Sequence, residues 1–203
     1  MLVKALVVGY IQTNCYIVTD EETLACAVID PGAESGVILG YIEEHGLGCR
    51  AILFTHGHAD HTGALEELWE HTRATVYLSR RDVDFNLGDH HCLTPPENHV
   101  YCAEGDEIVV GNLHFFVMET PGHTPGGLTF RCEDCLFTGD TLFYGTCGRV
   151  DFPGGDMQAM MTSLRKLAKL DGDFEVYPGH AESTTLEAER RFNPYVIHAM
   201  QGT

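Results

Sequence analysis

Three imidazoles and a carboxylate stand within six residues in Thr55-His56-Gly57-His58-Ala59-Asp60-His61. Imidazole and carboxylate are the ligands zinc and iron prefer, and a catalytic site of this kind keeps a position open for water. The segment follows Ala51-Ile52-Leu53-Phe54, an apolar run that reads as a short buried strand. In extended backbone side chains repeat every two residues, so His56 and His58 point the same way. Asp60 and His61 fall where the chain turns toward Ala64-Leu65-Leu68-Trp69, a helical pattern. One short segment can therefore serve two adjacent metals, His56 and His58 facing one, Asp60 and His61 the other. A histidine-rich surface loop or a terminal tag would lack the strand and helix flanks.

A single segment cannot complete two metal sites. Three further candidates stand in matching settings, each after a strand-like run and inside a turn-rich stretch. They are His123 in Thr120-Pro121-Gly122-His123-Thr124-Pro125-Gly126, Asp140 in Phe137-Thr138-Gly139-Asp140-Thr141, and His180 in Tyr177-Pro178-Gly179-His180. Glycine and proline let the backbone turn sharply and hold a side chain at the rim of a sheet. Each alone would pass for an ordinary turn; in this order beside the first motif they are no longer independent.

The series HxHxDH, PGHTPG, TGD and PGH resembles the metallo-β-lactamase-fold hydrolases. The resemblance runs from Asn14-Cys15-Tyr16-Ile17-Val18 and Asp30-Pro31-Gly32 to Asn193-Pro194-Tyr195. Within that superfamily, Gly148-Arg149-Val150-Asp151-Phe152-Pro153-Gly154-Gly155-Asp156 resembles the short, single-domain glyoxalase II-like (hydroxyacylglutathione hydrolase-like) group. The resemblance implies that His56, His58 and His123 hold one metal, that Asp60, His61 and His180 hold a second, and that Asp140 bridges them. It implies two divalent ions, zinc first, with iron or manganese as alternatives. A hydroxide between them would attack an acyl carbon, oriented by Asp60. A small thioester such as S-lactoylglutathione suits this apparatus, because a thiol with a pKa of about 8.5 leaves as thiolate without a strong general acid. An amide nitrogen would need protonation, and no acid accompanies the motifs. No GxSxG elbow is present, which argues against a serine hydrolase.

Larger glyoxalase II enzymes carry a C-terminal helical domain that grips glutathione. This chain reaches Thr203 soon after the last ligand motif, so the expectation is one domain over 1–203 without that extension. In those enzymes a lysine follows a Cys-Gly pair after the bridging aspartate; here Cys147-Gly148 is followed by Arg149, and Asp151 stands where the pattern has a tyrosine. A guanidinium can take a carboxylate bidentately, which makes Arg149 the candidate substrate-binding residue. The rival reading is a mono-iron persulfide dioxygenase-like oxidoreductase on the same fold. Cys147 to Phe152 matches its Cys-Gly-Arg-x-Asp-Phe stretch, and His56, His123 and Asp140 would form its triad. The closing Pro-Gly-His and the Phe152 to Asp156 run fit the hydrolase better. True β-lactamases lack the bridging aspartate that Asp140 supplies.

Composition bounds the partners. The chain has 203 residues, 44% hydrophobic and 21% charged, with 12 Lys+Arg against 30 Asp+Glu and a formal net charge of −18. A polyanion needs a basic surface, so nucleic acid is excluded as a partner. No run of 18 apolar residues exists to span a membrane. Met1-Leu2-Val3-Lys4 lacks a signal-peptide layout and reads as a strand, so the expectation is a cytoplasmic protein with reduced thiols. A small-molecule substrate is the one partner implied, and nothing fixes an oligomeric state.

The elements that must position the motifs follow from periodicity. Strands are expected at 2–8, 14–19, 24–29, 51–55, 75–78, 107–110, 113–118, 127–132, 135–138 and 174–177, and helices at 34–45, 62–72, 155–169 and 184–192. Strands early and helices late in each half suit two mixed β-sheets packed face to face with helices outside, an α/β four-layer αββα sandwich. Cys132-Glu133-Asp134-Cys135 is a CxxC, but the flanking strands suggest a hairpin with Glu133-Asp134 at its tip and packing roles for the thiols. Residues 86–105 form the least regular stretch, a weak candidate for a lid. His90-His91 within it reads as a solvated pair.

Overall fold

The computed structural model describes residues 1–85 and 93–202. The first sheet contains β1 (Leu2–Val8), β2 (Thr13–Thr19), β3 (Ala25–Ile29), β4 (Gly48–Leu53), β5 (Thr75–Leu78) and β6 (His99–Tyr101), in that spatial order. It is antiparallel from β1 to β3 and parallel from β3 to β6. Parallel neighbours need crossovers, here α1 (Ser35–Glu44) before β4, then α2 (Ala59–Thr62) and α3 (Leu65–Thr72) before β5; α4 (Arg80–Asp84) follows β5. The second sheet uses β7 (Glu107–Val110), β8 (Leu113–Glu119), β9 (Leu128–Cys132) and β10 (Cys135–Gly139) as an antiparallel meander. A small hairpin, β11 (Leu142–Phe143) and β12 (Thr146–Cys147), and helix α5 (Met157–Ala168) then lead to β13 (Glu175–Pro178), parallel to β10, and β14 (Thr184–Thr185). Helices α6 (Leu186–Phe192) and α7 (Pro194–Gln201) close the described chain.

Side-chain alternation sorts these strands into three apolar layers. Tyr16, Val18, Ala27, Ile29 and Leu53 meet Phe115, Phe130 and Phe137 between the sheets. The alternate residues Cys15, Ile17, Val28 and Ile52 pack outward against Ile38, Ile42 and Leu68 of α1 and α3. On the other side Leu136 and Val176 pack against Met160, Leu164, Leu167 and Val196. The central strands are buried on both faces, so each large side chain contributes roughly 1.5–3 kcal/mol. The result is the expected αββα sandwich of two mixed sheets flanked by helices.

The structure departs from the sequence expectation in its short elements. The helix expected at 62–72 is two, because Ala64 N leaves the helical ladder to donate to Pro31 O at 3.0 Å. Helix α7 starts where Asn193 caps Tyr195 N and Val196 N ahead of Pro194. Strand β6 lies inside the stretch read as irregular. His90, His91 and the 86–92 part of the suggested lid lie outside the described residues. Among the described residues no helix is long and apolar enough to cross a membrane.

The CxxC occupies the β9–β10 hairpin, with Cys132 and Cys135 paired across a turn in which Glu133 has φ 50°. Both thiols are free and buried in the inter-sheet layer. Burial pushes them up to about 11 and about 12, away from reactive thiolate. Replacing both with serine should destabilise the fold by roughly 1–3 kcal/mol for each hydroxyl buried without a partner, and leave metal content unchanged. Chemical denaturation and metal analysis check this; loss of metal with the fold intact would give the pair a functional role.

Candidate metal centre

The ligand motifs leave strands at one edge of the sandwich, His56, His58, Asp60 and His61 after β4, His123 after β8, Asp140 after β10 and His180 after β13. Backbone bonds knit the exits together: Leu128 N donates to Thr55 O at 2.7 Å, Gly179 N to Gly139 O at 2.9 Å, and Asn14 N to Gly179 O at 2.7 Å. The register of β10 on β13 shifts between Phe137 and Gly139, a bulge that re-aims the chain just before Asp140. Two glycines of the motifs are required by close approach. A Cβ on Gly139, at φ +49°, would lie 2.3 Å from Thr55 Oγ1, and one on Gly179 would lie 2.3 Å from Asp140 Oδ1.

Two groups of side chains converge there. His56, His58 and His123 form one, and Asp60, His61 and His180 the other, with the ligand atoms of each group within 4.8 Å of one another. In the second group His61 Nε2 lies 3.3 Å from both Asp60 Oδ2 and His180 Nε2, and His180 Nε2 is 3.2 Å from Asp60 Oδ2. Asp140 reaches both groups, its Oδ2 3.5 Å from His123 Nε2 and 3.6 Å from His180 Nε2. Asp30, His56 and His61 also lie close enough for a third grouping. Asp30, however, already accepts three bonds, from Thr55 N at 2.8 Å, Thr55 Oγ1 at 2.6 Å and His61 Nδ1 at 3.0 Å, so it holds ligands in place.

Hydrogen bonding fixes which ring nitrogens carry protons. Thr55 Oγ1 gives its proton to Asp30, so it accepts from His56 Nδ1 at 3.0 Å. His61 Nδ1 donates to Asp30 and His123 Nδ1 donates to Arg149 O at 2.7 Å. The Nε2 atoms of His56 and His123 are therefore left as lone pairs facing the centre, while His61 Nε2 faces the Asp60 carboxylate. His56 Nε2 is buried with no hydrogen-bond partner among the described residues, and His58 Nδ1 stands 2.9 Å from His123 Nε2. The inner nitrogens crowd within hydrogen-bond distance of one another, and outer acceptors of this kind are what metal-bound histidines use. The residues fit metal ions.

Electrostatics point the same way. Burial, and then the neighbouring imidazoles, push His56 well below the ordinary histidine range, and burial lowers His58 to about 4. Both rings are thus neutral, as imidazoles that hold a metal must be. Burial works against the Asp60 carboxylate, but bonds from His180 and His61 hold it ionised, well below its usual range. Burial likewise opposes charge on His61 and His180, yet Asp140 and Asp30 raise the first and Asp60 raises the second. This half of the centre attracts positive charge.

Arg149 sits beside the first group with its guanidinium engaged. Its Nε and Nη2 donate to Asp151 Oδ1 at 2.7 Å and Oδ2 at 2.6 Å, holding the Asp151 carboxyl at about 2. The guanidinium lies 3.9 Å over the Phe152 ring, which stands edge-on to His58 at 5.8 Å. Several supporting residues lie outside the four histidine- and aspartate-bearing motifs. Thr13 Oγ1 donates to Asp60 Oδ2 at 3.2 Å, Phe143 stands edge-on to His180 at 6.2 Å, and Asn14 and Tyr16 donate to Pro178 O at 3.0 and 2.6 Å. Asp30 was open to detection: an acid directly after the apolar strand Ala25–Ile29 has the setting of the ligands themselves.

Comparison with known proteins places this centre in context. Residues 8–180 match the model of the metallo-beta-lactamase superfamily. The hydroxyacylglutathione hydrolase GloC of Haemophilus influenzae is 34% identical over 211 residues, covering 97% of this chain and 98% of that protein. The crystal structure of BLEG-1 B3 metallo-beta-lactamase superposes with TM-score 0.86 at 30% identity, covering 99% of this chain and 100% of that one. The structure of TTHA1623 in a di-iron-bound form superposes with TM-score 0.84 at 36% identity, covering 95% and 99%. With its histidine and aspartate clusters at one edge of an αββα sandwich, the chain belongs to the metallo-beta-lactamase superfamily, whose members are typically metal-dependent hydrolases.

Proposed function

We propose that the protein is a binuclear-metal-dependent thioesterase of the glyoxalase II-like kind, cleaving a small acyl thioester such as S-lactoylglutathione. One observation carries the reading: a single carboxylate oxygen of Asp140 lies 3.5 and 3.6 Å from imidazoles of two separate clusters, as a bridge between two ions requires. His56, His58 and His123 would hold one ion, Asp60, His61 and His180 the other, and Asp140 both. Two such ions activate a water near neutral pH and polarise the acyl carbonyl. Asp60 Oδ2 faces His61, His180 and Thr13, which leaves Oδ1 to accept a hydrogen bond from the attacking water and orient it. Phe143 and Phe152 stand edge-on to His180 and His58, one aromatic ring beside each cluster. The leaving thiolate needs no acid from the chain, consistent with a centre whose carboxylate is held ionised. A net charge of −18 supports a small-molecule substrate and no nucleic-acid partner.

The relative named as a hydroxyacylglutathione hydrolase supports the thioester, and the di-iron-bound neighbour supports two ions. The close packing of Asp60, His61 and His180 favours a second ion over a single-iron dioxygenase. Protein purified without added metal should contain about two zinc, iron or manganese ions per chain and hydrolyse S-lactoylglutathione. One iron with oxygen uptake on a persulfide, or turnover of a β-lactam without turnover of thioesters, would replace the proposal. Asp140→Ala should lose metal and hydrolysis together, and full occupancy in that variant would remove the bridging role.

Arg149 tests the acidic half of the substrate. A substrate carboxylate would have to take the place of Asp151, so the gain is a charge-assisted hydrogen bond less an exposed ion pair, about 1–2 kcal/mol. Arg149→Ala should therefore raise KM for an acidic thioester roughly five- to thirtyfold and leave a neutral, truncated thioester unaffected. Steady-state kinetics on both substrates distinguish this from equal losses, which would make the Arg149–Asp151 pair a structural brace.

A further inference from the structure

The carboxylate of Asp82 belongs to no ligand motif and to neither cluster, yet it joins the two loops that supply the first. It stands on α4 and is 1% exposed. Its Oδ2 accepts from Gly57 N at 2.9 Å, the peptide between His56 and His58, and from Thr124 Oγ1 at 2.8 Å, beside His123. Its Oδ1 accepts from Gly126 N at 2.6 Å, two residues further along that loop. Burying a carboxylate costs several kcal/mol unless donors meet it. Here three do, and each comes from a ligand-bearing loop. Burial pushes the acid up while these donors stabilise its ionised form.

The fit is close. A Cβ on Gly126 would lie 2.5 Å from Asp82 Oδ1, so the carboxylate sits directly against that backbone. The first ligand loop is thereby held twice and the second once. Asp30 grips Thr55 and His61, while Asp82 grips Gly57 and reaches across to Thr124 and Gly126. What Asp82 fixes is the distance between the backbones of His58 and His123, whose facing nitrogens stand 2.9 Å apart.

We propose that Asp82 is a positioning residue for the first metal cluster, clamping the His56-Gly57-His58 loop to the His123-Thr124 loop so that three imidazoles share one ion. This rests on the metal-dependent reading above. Asparagine cannot substitute, because it offers one acceptor oxygen and an amide that must confront Gly126 N–H or the Gly57 and Thr124 donors. Groups that orient metal ligands typically change metal affinity 10–100-fold when lost.

The test is a zinc titration of metal-free protein against a chromophoric chelator, paired with cobalt(II) spectra. Asp82→Asn should weaken one ion about 10–100-fold, the same ion that His58→Ala removes, and leave the other within about threefold. Its cobalt(II) spectrum should change for that ion alone. Thr124→Val, which removes a single donor, should shift the same ion by a smaller factor and carries the test if Asp82→Asn does not fold. Parental affinities for both ions in either variant, or equal weakening of both, would overturn the inference and leave Asp82 a general fold brace. A parent that binds only one ion would overturn the binuclear reading instead, and the change in that ion's affinity would still decide the role of Asp82.

Discussion

Imidazole nitrogens crowd together at a buried sheet edge, and the rest of the molecule is organised around holding that crowding still. His58 Nδ1 and His123 Nε2 stand 2.9 Å apart, and His61 Nε2 and His180 Nε2 3.3 Å apart. Without a cation each such pair is held by at most one N–H···N hydrogen bond, so a flexible loop would let the rings swing away. Here each outer nitrogen that has a named acceptor is tied down, His56 through Thr55, His61 through Asp30 and His123 through Arg149 O. The rings then present their inner nitrogens to one common space, which is the arrangement a metal ion completes.

That restraint depends on the sandwich. Strands β4, β10 and β13 are buried by packed layers on both sides, so their ends are fixed points from which short turns project. The turns are short because glycines at 139 and 179 let backbone approach Thr55 and Asp140 more closely than any Cβ would allow. The two sheets meet at the centre through the Thr55–Leu128 and Asn14–Gly179 backbone bonds. A ligand from one sheet therefore keeps its distance to a ligand from the other, and Asp140 can address both clusters.

What was legible in the sequence was whatever is local. Strand-like apolar runs at 2–8 and 14–19 marked β1 and β2, and the two-residue period of His56-Gly57-His58 announced a shared direction. The CxxC hairpin was readable because both strands and the polar tip are contiguous. Two-residue strands such as β11, β12 and β14 carry no period, and β6 is an edge strand formed only by pairing with β5. The break before α3 depends on Pro31, more than thirty residues away in sequence. Asp30 and Asp82 exemplify the same limit: their partners lie 25 to 44 residues off, and an isolated acid in a sequence says nothing about which amide it will meet. Arg149 is the instructive middle case. Both members of its ion pair were visible two residues apart, but whether the guanidinium served Asp151 or a ligand depended on the turn between them.

The acidity of the chain and the charge of the proposed substrate set a final constraint. Asp30, Asp60 and Asp140 gather their carboxylates at the centre of a protein with net charge −18. An anionic thioester approaching those carboxylates alone would be repelled, and Arg149 must first release Asp151 before it can attract one. Two divalent ions would more than neutralise three carboxylates and reverse the sign of the field at the point where the acyl group must sit. Metal occupancy would then govern substrate binding as well as chemistry. A strongly negative protein and a negative substrate are then compatible, provided the cations are held first.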